Sequence, residues 1–232
     1  MNETEPQAVR ARYERRKTQV ARDRYSLLNP DVWYSVAERQ RGMLRFFAKY
    51  CGGTLDEVRL LEIGCGTGGN LLEFLRLGFR PENLLGVELL EDRVEIARKV
   101  LPSGLVQQAD AMAISLPPAS YDIVFQSVVF SSLLDDAFQR DLANRMWSLV
   151  RPGGAILWYD FVYDNPRNPD VRGVSVARVQ ELFPDGEMAF RRVTLAPPLA
   201  RRVCKVHPML YPLCNSLPFL RTHVLAWIRK PS

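Results

Sequence analysis

Apolar residues recur along the middle of the chain in two alternating periods. Short apolar runs near 58–63, 84–88, 105–108, 121–126 and 155–160 read as strands. Between them Leu71, Leu72 and Leu75, then Val94, Ala97 and Leu101, then Phe138, Leu142 and Leu149 fall at three- and four-residue spacings or sums of them. That is the stripe an amphipathic helix turns to a core. The alternation predicts an α/β fold, a mostly parallel sheet with helices on both faces, and ligands beyond the carboxyl ends of the strands. Two further strand-like runs follow near 189–194 and 223–229.

The ends of the chain depart from this pattern. Residues 8–25 are dense in arginine and tyrosine, and Asn29-Pro30-Asp31 opens a helical pattern running to about Tyr50. Proline in a first helical turn with an acidic neighbour suits a helix start, where orphan N–H groups and the dipole favour both. The chain therefore divides into residues 1–54, an arm and helix that could serve as a lid, and residues 55–232, one domain with an insert at 195–222. The insert mixes five prolines with large apolar residues and the basic group Arg201, Arg202 and Lys205. A connection this long in a compact domain is uncommon and often functional. Packing on the domain's own surface, an acceptor-binding wall and a membrane-interface patch all remain open. The proline density argues against a long amphipathic helix.

Residues 60–70, LLEIGCGTGGN, run from a strand into four glycines, Gly64, Gly66, Gly68 and Gly69, and then into a helical pattern. Glycine is needed where the backbone turns sharply and where a cofactor lies against the main chain. The glycines alone leave the cofactor open. Gly64-x-Gly66-x-x-Gly69 also fits the dinucleotide fingerprint, with Glu88 about 20 residues on as the ribose acid. Glu62, inside the strand, tips the balance: a pyrophosphate gains nothing from a carboxylate there, whereas a cationic amino-acid moiety does.

With Glu62, the glycines, Glu88 in LLGVE and Asp110 in VQQAD in place, the chain resembles the class I S-adenosylmethionine (SAM)-dependent methyltransferases over roughly residues 55–195. YDIVFQSV and the RPGG turn before AILWYD resemble family counterparts as well. The resemblance implies a Rossmann-like seven-stranded, mostly parallel sheet with the last strand antiparallel. It also implies that Glu62, Gly64 and Gly66 lie against the methionine part of SAM, that Glu88 binds the ribose hydroxyls and that Asp110 holds the adenine amine. Cys65, Gly68, Leu89, Ala111 and Gln126 complete the expected cofactor set.

Methyl transfer from a sulfonium is an in-line displacement in which placement and desolvation do most of the work, and a hydroxyl or protonated amine acceptor benefits from a base. Asp160, ending the fifth strand, and His223, opening the last, are the candidate catalytic residues. His207, Arg167 and Arg172 are candidate acceptor contacts, Tyr25 and Tyr34 could shape the acceptor pocket, and Asp135 and Asp136 read as helix caps. The acceptor expected is a small molecule or glycan, anionic or lipid-linked, with a hydroxyl as the methylated group. A nucleic-acid methyltransferase is disfavoured because FQSVVF stands where an Asx-Pro-Pro-aromatic element would hold a flipped base. A natural-product O- or N-methyltransferase, an NAD-dependent oxidoreductase and a non-catalytic SAM binder remain alternatives.

At 232 residues and 47% hydrophobic, the chain can bury one substantial core. Its net charge of +5 is compatible with an anionic partner but weakly so. Cys51, Cys65, Cys204 and Cys214 lack metal-ligand spacing and read as reduced thiols, so no metal is expected. No apolar run approaches transmembrane length, and peripheral membrane contact is the remaining membrane option. A cytoplasmic location is expected.

Overall fold

Helix α1, Glu5–Gln19, and helix α2, Pro30–Tyr50, precede a strand-helix alternation. It runs β1 Leu60–Ile63, α3 Gly69–Arg76, β2 Leu84–Glu88, α4 Glu91–Val100, β3 Val106–Gln108, β4 Tyr121–Ser127, α5 Asp136–Leu149 and β5 Val150–Phe161. The chain continues through α6 Val176–Leu182, β6 Glu187–Leu195, α7 Pro197–Val206, α8 Leu210–Asn215 and β7 Arg221–Arg229. This computed structural model describes residues 4–19, 23–166 and 168–232; Arg167 lies outside the described residues.

The seven strands form one sheet in the order β3-β2-β1-β4-β5-β7-β6. β7 pairs antiparallel with both β5 and β6, and the other pairings are parallel. The topology reverses between β1 and β4, the switch point outside which open α/β sheets bind ligands. Because side chains alternate across a strand, the two faces of the sheet carry separate cores. Ala155, Leu157 and Tyr159 of β5 join Met43, Phe47 and Phe74 of α2 and α3. Ile156 and Trp158 join Leu142 and Met146 of α5 and Val179 of α6.

Local signals account for most boundaries. Pro30 stands in the first turn of α2, and Asp135 Oδ1 caps α5 by accepting from the backbone of Ala137 and Phe138. Two expectations need correction. The RPGG segment is not a turn before β5 but a bulge inside it: Tyr121 pairs with Val150 and Ile123 with Ala155, so the extra residues loop out of the ladder. The insert holds two helices, α7 and α8, rather than an irregular loop. Pro197 and Pro198 do not oppose α7, because they sit in its first turn, where the missing N–H costs nothing. Among the described residues no helix is long and apolar enough to cross a membrane.

Candidate functional site

Glu62, Glu88 and Asp110 reach one edge of the sheet, at or just beyond the carboxyl ends of β1, β2 and β3. Gly64–Gly68 form the turn from β1 into α3, with Gly68 as the left-handed N-cap residue of that helix at φ +83. Gly66 has φ +57, and a Cβ built there meets only Arg93 Nη1 at 3.9 Å. The space over Gly66 is therefore open, as a cofactor lying on the main chain requires. Cys65 points the other way. Its buried thiol packs on Gly86 and Leu71, and burial raises its pKa, so it can offer a cofactor only its backbone.

Each acid has a distinct environment. Glu88 Oε2 accepts from the Gly66 N–H at 2.8 Å and Oε1 from the Leu90 N–H at 2.9 Å, so this carboxylate fixes the glycine turn and keeps lone pairs to spare. Asp110 Oδ1 accepts from the Met112 N–H at 2.9 Å, an Asx turn that shapes the segment carrying Ala111. Leu89 lies between Glu88 and Leu90 at the same edge. Gln126, fully buried at the end of β4, accepts from the Val129 N–H at 3.0 Å. It shapes the loop after β4.

Glu62 is fully buried. Its Oε1 accepts from Asn70 Nδ2 at 2.6 Å, while Oε2 has no hydrogen-bond partner among the described residues. Burial pushes its pKa up to about 8, opposed by the Asn70 hydrogen bond and the Arg39 charge. A buried carboxylate oxygen without a donor is costly, and a cation brought beside it would supply what is missing. The α-ammonium of a methionine moiety fits this gap; the pyrophosphate of a dinucleotide would add negative charge to it. The geometry therefore separates the two cofactor classes that the glycine spacing leaves open.

The proposed catalytic pair is not brought together. Asp160 shares its strand face with Ile156 and Trp158 and accepts from the backbone N–H groups of Ser131 and Phe161, at 3.0 and 2.9 Å. It is fully buried, which raises its pKa to about 7. His223 shares its face with Leu225 and Trp227, on the opposite side of the sheet. Its ring stacks on Tyr159 with centroids 5.0 Å apart, and burial, with Arg39 nearby, lowers its pKa to about 3.

Around His223 lies a polar cluster that the sequence reading misses. Arg39 of α2 donates to Asn70 Oδ1 at 2.6 Å and to Ser127 Oγ at 3.2 Å, and lies over the Tyr159 ring at 5.1 Å. Tyr159 and Thr194 hydroxyls are 2.8 Å apart, and the Thr194 N–H donates to Glu38 Oε2 at 2.9 Å. Tyr211, from α8 in the insert, donates to the same Glu38 oxygen at 3.4 Å. One chain of contacts thus runs from Glu62 through Asn70, Arg39, Tyr159 and Thr194 to the insert. A signal existed: Arg39 stands four residues before Met43, on the apolar stripe that α2 buries, where a cation needs a reason. Thr194 and Val128 supply a second mark. Both are β-branched yet have positive φ, +65 and +59, and such strain gathers at functional sites.

Other candidates fall elsewhere. Arg172 pairs with Asp136 at the start of α5, and the hydrogen bond it donates, with its charge, lowers the pKa of Asp136. His207 is exposed between α7 and α8, its Nδ1 accepting from the Met209 N–H. Tyr34 stacks on Tyr211 at 5.1 Å, at the margin of the cluster, whereas Tyr25 is exposed. Helix α1 reaches the opposite margin: Glu5 Oε1 accepts from the Leu134 N–H at 2.8 Å, Arg12 donates to Ser132 O at 3.0 Å, and Arg93 lies 4.3 Å from the Tyr13 ring. A surface cleft of about 500 Å³, lined by Arg59, Asn83, Leu105 and Tyr121, lies by the opposite strand ends, away from these acids.

Residues 60–154 match the family model described as a methyltransferase domain. The chain is 32% identical over 110 residues to a fatty-acid O-methyltransferase of Mycolicibacterium smegmatis, covering 46% of this chain and 38% of that protein. It is 29% identical over 141 residues to a ubiquinone biosynthesis O-methyltransferase of Leptothrix cholodnii, covering 58% and 57% respectively. The chain thus spans between about a third and three fifths of these relatives' lengths. A SAM-dependent methyltransferase from Archaeoglobus fulgidus superposes with a TM-score of 0.60 at 18% identity, over 83% of this chain and 94% of that one, which shows the fold. The methyltransferase-domain match begins at β1 and ends within β5, and the antiparallel β7 lies between β5 and β6 in a fold that the chain shares with solved SAM-dependent methyltransferases.

Proposed function

We propose that this protein binds SAM along the β1–β4 edge and transfers its methyl group to a hydroxyl of a small-molecule acceptor seated against the Arg39–Tyr159–His223 cluster. The observation that carries the reading is Glu62: a buried carboxylate with one unpartnered oxygen, beside a glycine turn with open space above it. SAM supplies an electrophilic methyl group on a sulfonium; the chain's residues place the two reactants and exclude water. Glu88 and Asp110, on the same edge, are assigned to the ribose hydroxyls and the adenine amine. Helix α1, tied to Ser132, Leu134 and Arg93, is assigned as a lid over this edge.

The acceptor class within that reading is a lipid-linked or glycan hydroxyl. Support comes from the apolar insert beside the cluster and from the fatty-acid and ubiquinone O-methyltransferases among the relatives. The four cysteines are free thiols, consistent with the reducing cytoplasm assigned to the protein.

The catalytic assignments divide by chemistry. His223, with its pKa near 3, stays neutral throughout the physiological range and can accept a hydrogen bond from an acceptor hydroxyl. Asp160 has a pKa near that of a useful base, yet both its oxygens hold backbone N–H groups. Asp160→Asn separates a base from a scaffold. Loss of kcat at unchanged urea midpoint assigns the base to Asp160, whereas the expected result is a loss of stability of about 1–3 kcal/mol with kcat retained in the folded fraction.

Titration calorimetry with SAM and with NAD tests the cofactor, and turnover of SAM with fatty-acid, phenolic and sugar hydroxyls tests the acceptor. Binding of NAD and not SAM overturns the reading. Glu88→Ala should weaken SAM by roughly 1–3 kcal/mol, since charge-assisted hydrogen bonds are lost and the Gly66 N–H is released. Unchanged affinity in a variant with native circular dichroism counts against the ribose assignment.

A further inference from the structure

The insert has two unlike faces. Inward, Ala200 and Tyr211 are buried against Leu195 and Tyr34, so the segment is firmly seated. Outward, Val206, Met209, Leu213 and Phe219 are 79%, 61%, 66% and 73% exposed. Leu28 and Trp33, at the neighbouring entrance to α2, are also exposed, and Tyr34 beside Trp33 reaches Met209 with its hydroxyl 3.7 Å from the sulfur. Large apolar side chains gathered on one outer face usually mark a binding surface.

Charge identifies the occupant. Residues 195–222 contain no aspartate or glutamate, whereas Arg201, Arg202 and Lys205 lie along α7, Arg202 and Lys205 exposed. Asp31, at the start of α2 and near Cys204, is the acidic neighbour. Exposed apolar residues flanked by three cations with one acidic neighbour suit a bilayer interface bearing anionic headgroups, where the apolar groups enter the acyl boundary and the cations stay at the phosphates. Proline-limited helices are no obstacle: two short helices expose the residues that one long helix would.

We propose that α7, α8 and the segment to Phe219 form a docking surface for an anionic lipid bilayer, which presents a membrane-resident acceptor to the cluster at Tyr159. The acceptor part of this rests on the functional reading above; the docking part does not. The surface adjoins the site directly, because Tyr211, on α8 of the same insert, shares Glu38 with Thr194.

Flotation with phosphatidylglycerol-containing vesicles and with pure phosphatidylcholine vesicles tests it. The protein should float with the anionic vesicles and be released by high salt. The Arg201→Gln/Arg202→Gln/Lys205→Gln variant should bind about 100-fold more weakly, at roughly fivefold per cation. Leu213→Ser/Phe219→Ser should lose binding while keeping SAM affinity, since neither residue touches the cofactor edge. Failure to float, or equal binding by all variants, overturns the proposal. So does a wild-type dimer that Leu213→Ser/Phe219→Ser converts to monomer, which would assign the face to a second copy of this chain. A protein that floats but ignores SAM upholds the surface and sinks the cofactor reading instead.

Discussion

Replacing Glu62 by Gln should weaken SAM about 10- to 100-fold and, at the same time, stabilise the empty protein in alkaline solution. The first effect is the loss of a charged partner for the cofactor's ammonium, a hydrogen bond of about 1.5–3 kcal/mol. The second follows from linkage. The folded pKa, about 8, lies above the ordinary carboxyl value of 4.5, so the native state holds a proton that the unfolded chain gives up. Stability carried by that proton is present below about pH 4.5 and is lost as pH rises toward 8. Gln, neutral at every pH, removes the slope. Urea midpoints of wild type and variant should therefore agree near pH 4.5 and separate progressively up to about pH 8, above which the variant stays more stable by roughly 1–3 kcal/mol.

The same shift predicts how SAM affinity varies with pH. The cofactor needs the ionised carboxylate, so wild-type affinity should rise as pH approaches 8 by up to about tenfold per unit, and fall again as the α-amino group of SAM, near pKa 8, deprotonates. Glu62→Gln should flatten the rising limb alone. An unchanged limb, or unchanged affinity, would mean that Glu62 does not face the ammonium.

Much of the sheet was legible because each strand carries its own period and each connecting helix its stripe; Leu71, Val94 and Leu142, picked out by spacing, are all buried. The meeting of the candidate cofactor residues at one sheet edge was legible for a related reason. Glu62, Gly66, Glu88 and Asp110 each stand at a strand's end, so finding the strands orders the residues around the switch point. What spacing does not carry is the partner of a side chain. Arg39 meets Asn70 and Tyr159 only once α2 lies across the sheet, and Asp160 and His223, both at strand ends, differ by the strand face they occupy. That parity depends on the register of β5 against β7, which links residues more than 60 apart in sequence. The RPGG bulge was misread for a local reason, since a glycine pair with Gly153 at φ +75 suits a turn and a bulge equally.

The largest loss of SAM binding is expected from Gly66→Val, and a comparison with two alanine variants shows why. In the empty protein a Cβ at Gly66 would meet nothing closer than Arg93 Nη1 at 3.9 Å, so Gly66→Ala adds no clash and carries only the strain of its φ of +57, about 1–2 kcal/mol. A Cβ at Gly68 would lie 2.4 Å from Leu101 Cδ1, inside the core, so Gly68→Ala should destabilise the fold more. The cofactor reverses the order. If SAM lies on the main chain over Gly66, alanine there should cost about 100-fold or more in affinity and valine should abolish binding. In its folded fraction Gly68→Ala should retain binding to within about tenfold, because its methyl enters the core and not the cofactor space. Thermal unfolding ranks the stabilities and calorimetry the affinities. Should Gly66→Ala bind SAM normally while Gly68→Ala does not, the cofactor does not cross Gly66, and the open space above that residue serves another ligand.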